Sequence, residues 1–65
     1  MLSEVVMIFE LIFSSTLKGV DFNIYECSDG KYITTISDRN SKEYKTFGSF
    51  KNAKKYINKQ MQLIN

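Results

Sequence analysis

The chain has 65 residues and a formal net charge of +2, with one cysteine and no histidine. A chain this short forms one domain, residues 1–65, and buries only about 60% of its unfolded surface, so its stability is expected to be marginal. The 43% hydrophobic content predicts a folded rather than a disordered chain. A lone Cys27 excludes an intrachain disulfide, and without histidine we expect no zinc site and no cofactor. These features favour a reducing, cytoplasmic location.

The two halves of the chain carry opposite charge. Residues 1–30 hold one lysine against five carboxylates, a net charge of −4, whereas residues 31–65 hold eight lysines and arginines against two carboxylates, a net charge of +6. Such polarity steers an anionic partner towards one side of a protein. The competing interpretation is a lysine-rich surface that only keeps the domain in solution.

Residues 1–19 form an apolar N-terminal segment that predicts either a strand or a helix. Odd positions from 5 to 13 are apolar while Glu4 and Glu10 have the opposite parity, which favours a strand. A helix over 4–17 is the alternative, because a short apolar run fits both periods. The run is far shorter than the roughly 20 residues of a membrane-spanning helix, so we expect no membrane contact.

Three apolar residues of this segment are surplus to a core that one helix covers. If the odd positions face inward, Val6, Ile8 and Ile12 point outward. Their burial in a symmetric dimer or against another protein would remove them from water. We therefore predict a partner interface at these three residues and a homo-oligomer.

Residues 20–47 predict an antiparallel meander. The stretches VDFNIYE, KYITTIS and EYKTF alternate in polarity or are rich in β-branched residues, as strands are. Between the first two, Asp29-Gly30 predicts a hairpin, because glycine accepts the positive φ of a tight turn. The stretch DRNSK predicts a second, polar turn.

Residues 49–63 predict a C-terminal helix. Ser49 is a suitable N-cap, because its hydroxyl can accept a hydrogen bond from an amide of the first turn. Lysines 51, 54, 55 and 59 fall largely on the side away from the apolar stripe. That stripe has helical spacing and consists of Phe50, Ala53, Ile57, Met61 and Ile64.

Together these elements predict an α+β fold, an antiparallel β-meander of three to four strands packed on one C-terminal α-helix. An α-β-β-β-α order is the alternative if the N-terminal segment is helical. The residues expected in the core are Phe22, Ile24, Ile36, Phe47, Phe50, Ala53 and Ile57.

No group of residues predicts catalysis. Without histidine there is no base of the usual kind to activate Cys27 or a serine. The glycines at 19, 30 and 48 are scattered and form no phosphate-binding loop. We therefore expect a binding protein, with no enzymatic activity, no catalytic residue and no metal ligand.

The sheet face that the helix leaves free is the predicted binding surface. A two- or three-stranded ribbon is narrow enough to enter the major groove of double-stranded DNA, where basic residues contact phosphates. The helix lysines would then take no part in binding. The predicted nucleic-acid site consists of Lys31, Thr35, Arg39, Lys42 and Lys45.

The stretch DGKYITTISDRNSKEYKTFGSFKNAKKYI resembles the N-terminal arm-site DNA-binding domain of phage and transposon tyrosine integrases. The matching positions are Gly30-Lys31-Tyr32, Lys45-Thr46-Phe47, the Ser49 cap, Ala53, Tyr56 and Ile57. The resemblance covers roughly residues 22–59 and implies a three-stranded sheet on a C-terminal helix, DNA binding through the sheet, and a phage or mobile-element origin. The apolar N-terminal segment departs from the short basic tail of that family.

A second, weaker similarity is to double-stranded RNA-binding domains, whose element order fits the helical alternative for the N-terminal segment. In their helix a run of basic residues follows the serine, and here Phe50 takes the first of those positions. The alternative function is protein interaction, as a small phage-type inhibitor of a host protein or a homodimeric accessory factor. Steep salt dependence of binding would distinguish phosphate contact from apolar protein contact.

Overall fold

A computed structural model of the chain describes residues 7–65. Its elements form one sheet in the order β1-β2-β3-β4, with every neighbouring pair antiparallel and a helix across one face. The predicted α+β meander is therefore confirmed, with four strands. The elements are β1 (Phe9–Leu17), β2 (Val20–Cys27), β3 (Tyr32–Ser37), β4 (Lys42–Phe47) and α1 (Phe50–Ile64).

The N-terminal segment is a strand in the part that the structure describes. β1 pairs along its length with β2, so the helical alternative is wrong over Phe9–Leu17. Ile8 extends the pairing, because its carbonyl accepts a hydrogen bond from the Ser28 amide at 3.0 Å and its own amide donates to the Ser28 hydroxyl at 3.3 Å. The strand continues up to the turn, since Leu17 still pairs with Val20.

β1 contains a bulge that changes which side chains share a face. Leu11 pairs with Tyr25 and Phe13 pairs with Ile24, so Ile12 is an extra residue without an opposite partner. An extra residue reverses the alternation of the strand on either side of it. The prediction that the odd positions of β1 share one face is therefore wrong across the bulge.

The first two of the three hairpin turns have the glycines that their backbones require. Between β1 and β2, Lys18 has φ 52° and Gly19 has φ 78°, which is the two-residue turn type that matches the twist of paired strands. Between β2 and β3, Gly30 has φ 89°, its amide donates to the Cys27 carbonyl at 3.0 Å, and the Cys27 amide donates to the Lys31 carbonyl at 2.8 Å. The predicted Asp29-Gly30 hairpin is thus present, with a three-residue loop.

The turn between β3 and β4 is organised by one carboxylate. Asp38 Oδ1 accepts hydrogen bonds from the Asn40 amide at 2.7 Å and the Ser41 amide at 2.8 Å. These amides stabilise the charged form, so the pKa of Asp38 lies below its ordinary value.

The core lies between the sheet and α1. Phe22 and Ile24 of β2 and Ala53 and Ile57 of α1 are almost fully buried, as predicted. The predicted core member Phe50 is the first residue of the helix and is 40% exposed, with its ring touching Tyr32 edge-on. Around this core pack partly buried side chains: Phe13, Leu17, Val20, Tyr32, Ile36, Phe47, Tyr56, Met61 and Ile64.

The helix begins where the sequence predicted. The Ser49 hydroxyl accepts a hydrogen bond from the Asn52 amide at 3.2 Å, which satisfies a donor of the first turn. The helix ends at Ile64, so Lys59 lies before its last turn and does not face the C-terminal carbonyls. Within residues 7–65, no helix has the length and apolar character needed to cross a membrane.

Candidate interaction surface

The sheet has one face under α1 and one face that no described element covers. Phe22 and Ile24 point towards the helix, so the alternate residues of the sheet point the other way. We call this second side the open face. Its strand residues are Phe9, Leu11, Ser14, Thr16, Asp21, Asn23, Tyr25, Cys27, Ile33, Thr35, Ser37, Lys42, Tyr44 and Thr46.

The open face is ordered into rows that run across the strands. One row is Thr16–Asp21–Ser37–Lys42, the next is Ser14–Asn23–Thr35–Tyr44, the third is Leu11–Tyr25–Ile33–Thr46, and a fourth begins Phe9–Cys27. The first two rows are mainly polar and the last two mainly apolar. The face therefore has a polar end and an apolar end.

The apolar end is unusually exposed for side chains of its kind. Phe9 is 51% exposed, Leu11 is 50% exposed, and Tyr44 in the adjoining row is 68% exposed. Phe9 and Tyr44 border a hollow of about 240 Å³, whose full lining is Phe9, Tyr25, Ile33, Thr35, Lys42 and Tyr44. That volume lies below the roughly 300 Å³ at which small-molecule pockets begin, so the surface suits a macromolecule better than a small ligand.

Two of the predicted nucleic-acid residues meet at this hollow. Lys42 stands at its rim, with Nζ 5.5 Å from the centre of the Tyr44 ring. Thr35 lies at its floor, is only 4% exposed, and accepts a hydrogen bond at 3.3 Å from the Asn23 side chain. The Thr35 hydroxyl is therefore covered by its neighbours and is a poor candidate for contacting a base edge.

The prediction that Lys45 shares this face with Lys42 is wrong. Lys45 pairs with Thr34, which points towards the helix, and its Nζ lies 4.8 Å from the centre of the Tyr56 ring of α1. Residues three apart in a strand lie on opposite faces, so Lys42 and Lys45 cannot grip the same groove from one sheet face.

The remaining predicted contacts lie at opposite ends of β3. Lys31 precedes the strand, and its amide donates to the Asp29 carboxylate at 3.0 Å. Arg39 lies in the loop after the strand, next to the position where Lys42 pairs with Ser37. At about 3.3 Å per residue, β3 separates Lys31 from Ser37 by about 20 Å. The predicted basic residues therefore form no single cluster.

The predicted partner interface is also divided. Val6 lies outside the described residues. Ile8 is 64% exposed and borders Glu10 and Glu26, on the side of the sheet opposite Phe9. Ile12 is the bulge residue and is 38% exposed.

The exposed large hydrophobic residues of the open face, Phe9, Leu11 and Tyr44, were not predicted to bind a partner. Tyr44 could have been found, because it alternates in step with Lys42. Phe9 and Leu11 could not, because the bulge that turns them outward leaves no mark in the hydrophobic pattern.

The helix carries the most concentrated charge of the described chain. Lys51, Lys55 and Lys59 are exposed and recur every four residues, and the helix contains no acidic residue. Lys54 differs, because its Nζ lies 4.6 Å from the centre of the Phe13 ring and donates to the Asn58 side chain at 3.2 Å. We call Lys51, Lys55 and Lys59 the lysine stripe.

Neither the thiol nor the carboxylates form a reactive group. Cys27 is buried, and burial, followed by the nearby Asp29 and Glu26 carboxylates, raises its pKa, so the thiol is held in its less nucleophilic form. The Tyr32 hydroxyl donates to Glu26 at 3.2 Å, which raises the tyrosine pKa. Across residues 7–65, no three His, Cys, Asp or Glu side chains come together as a metal site would require.

No protein-family model, no curated protein and no solved structure matches this chain. The resemblance to integrase arm-site domains accordingly stays a prediction, and functional inference rests on the geometry of the open face and the lysine stripe.

Proposed function

We propose that this protein is a small protein-interaction module that binds its partner through the open face. The observation that carries the proposal is the exposure of Phe9, Leu11 and Tyr44 on one sheet face, with Phe9 and Tyr44 bordering one hollow. Among the strand residues of the open face, Asp21 and Lys42 are the charged ones. Aromatic enrichment with depletion of charge marks the centre of protein–protein interfaces.

The same face is less suited to duplex DNA. Affinity for DNA depends mainly on lysine and arginine contacts to phosphates. The open face offers Lys42 at one end, Arg39 in the adjacent loop and Lys31 about 20 Å away, while Lys45 faces the helix. A phage-type inhibitor of a host protein or an accessory factor of a mobile element would use an apolar, charge-poor surface of this kind.

A peptide library selected on the immobilised protein tests the proposal without knowledge of the natural partner. Peptides should bind the parent and lose at least about tenfold in affinity with Tyr44→Glu, which places a charge at the centre of the surface. Leu63→Glu is the matched control, because Leu63 is 70% exposed on the helix. If the selected peptides bind the Tyr44→Glu variant as tightly as the Leu63→Glu variant, binding lies elsewhere and the proposal is contradicted.

A second candidate function, nucleic-acid binding, is favoured by the lysine stripe. Two like charges four residues apart destabilise a helix by about 0.2–0.5 kcal/mol per pair. Lys51 lies in the first turn, where its positive charge also opposes the helix dipole. A phosphate backbone would relieve both effects. The lysine stripe and the open face lie on opposite sides of the molecule, so the two functions are compatible and can be tested separately.

A further inference from the structure

We infer that the occupant of the open face is a second copy of this chain, seated face to face in a symmetric dimer. The inference rests on the proposed function, protein interaction through the open face, and adds the identity of the partner. It draws on the arrangement of the rows, which makes the face complementary to itself.

The first step is the direction of the symmetry axis. Stacked sheets keep their strands within about 30° of each other and lie about 10 Å apart. A two-fold axis along the strands sets each row against the same row of the other copy. An axis across the strands, placed at the centre of the four rows, would instead set the apolar row of Leu11 and Tyr25 against the mainly polar row of Asn23 and Thr35. The first arrangement buries apolar side chains against apolar side chains and is therefore favoured.

The second step is the charge within one row. Asp21 and Lys42 belong to the same row but lie two strands apart, about 10 Å. Within the chain the Asp21 carboxylate accepts a hydrogen bond from the Thr16 hydroxyl, and the Lys42 ammonium lies over the Tyr44 ring. With the axis between β2 and β3 the strand order reverses, so Asp21 of one copy faces Ser37 of the other and lies one strand away from Lys42 of that copy, within reach of the lysine side chain. A two-fold axis makes this pairing twice. The charges that would oppose a face-to-face contact thus become complementary.

The third step is the centre of the face. In this arrangement Tyr25 of each copy meets Ile33 of the other near the axis. The exposed ring of Tyr44 packs against the same row of the other copy, the row of Asn23 and Thr35. The lysine stripe stays on the outer surface of each copy, because α1 covers the opposite side of the sheet. The dimer is therefore a two-sheet sandwich with a basic helix on each outer side.

Sedimentation equilibrium between about 10 μM and about 1 mM tests the inference. The parent should change from monomer to dimer mass within this range. Leu11→Glu and Tyr44→Glu should each raise the dissociation constant at least about tenfold, whereas the control Leu63→Glu should leave it within about twofold. Circular dichroism checks that each variant is folded, and both open-face positions are exposed on edge strands, where glutamate does not disturb the core.

A charge exchange gives a second and independent measurement. Asp21→Lys alone and Lys42→Asp alone should each weaken the dimer about three- to tenfold, since the pair occurs twice. The double variant Asp21→Lys/Lys42→Asp should recover the affinity of the parent. Additive weakening in the double variant would overturn the face-to-face arrangement, and so would a parent dimer that tolerates Leu11→Glu and Tyr44→Glu.

The two proposals fail in different ways. A parent that remains monomeric at about 1 mM, while its selected peptides still depend on Tyr44, would overturn the dimer and leave the open face as a surface for another protein. A monomeric parent whose peptides ignore Tyr44 would overturn both.

Discussion

Phe9 and Phe13, four residues apart on β1, lie on opposite faces of the sheet. Phe9 borders the hollow of the open face, whereas the Phe13 ring lies under the Lys54 ammonium on the helix side. Residues four apart in an unbroken strand share a face. The bulge at Ile12 separates them, and it turns the apolar half of β1 into part of the interaction surface.

Deleting Ile12 should therefore leave the fold and both faces intact. Without the extra residue, Leu11 still pairs with Tyr25 and Phe13 with Ile24, now in a regular ladder. Cross-strand NOEs between Leu11 and Tyr25 and a cooperative thermal transition check this. Deletion of Asn23 is the control, because it moves Phe22 out of the core and should unfold the chain. Loss of folding on deletion of Ile12 would show that the register is assigned wrongly.

The sequence was sufficient to predict the elements that local signals define. The Ser49 cap, the apolar stripe through Ala53 and Ile57, and the Asp29-Gly30 hairpin each depend on a few neighbouring residues, and each is present. The class and strand order follow from them.

The candidate surface could be predicted only in part, because it depends on register. Alternation alone places Thr35 and Lys42 on the open face and Lys45 on the other. The face of Phe9 depends on one unpaired residue, Ile12, and a bulge has no signature in composition or periodicity. Alternation with Lys42 places Tyr44 on the open face as well, whereas the exposed fraction of its ring depends on how the neighbouring side chains pack.

The core assignment predicts a contrast between two apolar helix residues. Ile57 is fully buried between helix and sheet, whereas Leu63 is 70% exposed. Ile57→Ala should lower the free energy of unfolding by about 2–5 kcal/mol, and Leu63→Ala should change it by less than about 0.5 kcal/mol. Urea denaturation of both variants measures the difference, and equal midpoints would contradict the packing of α1.

A single turn substitution should stabilise the protein. Lys18 has φ 52°, a left-handed conformation that a lysine rarely adopts and asparagine tolerates better. Lys18→Asn should raise the free energy of unfolding by about 0.5–1 kcal/mol, because Asn-Gly is the preferred pair for this two-residue turn. Lys31→Asn is the control for loss of one lysine outside the turn. A decrease in stability for Lys18→Asn would argue against this turn geometry.

The Asp38 carboxylate should contribute a pH-dependent part of the stability. Its pKa is lowered in the folded state by the Asn40 and Ser41 amides, so its contribution is complete above its ordinary pKa of about 3.8 and is lost as the pH falls through the lowered value. Asp38→Ala should lower the melting temperature at neutral pH, and the gap to the parent should narrow as the pH falls below about 3.8. A gap that persists unchanged below that pH would show that the charge is not responsible.

Nucleic-acid binding through the lysine stripe and binding through the basic residues around the open face can be told apart by removing either group of charges. One triple variant, Lys51→Gln/Lys55→Gln/Lys59→Gln, removes the stripe, and another, Lys31→Gln/Arg39→Gln/Lys42→Gln, removes the residues predicted from the sequence. Both lower the net charge of +2 by the same three charges, so any difference between them reports location rather than overall attraction.

Fluorescence anisotropy with a DNA duplex over a range of salt concentrations measures this difference. Each phosphate contact contributes about 0.9 to the slope of log K against log salt, so loss of the stripe should reduce the slope by about two to three units. The open-face variant should change it little, because Lys31 and Lys42 lie about 20 Å apart at the two ends of β3. The reverse result would restore the sheet as the nucleic-acid surface. Equal losses would indicate attraction by net charge alone, and absence of binding by the parent at low salt would leave protein interaction as the function of this fold.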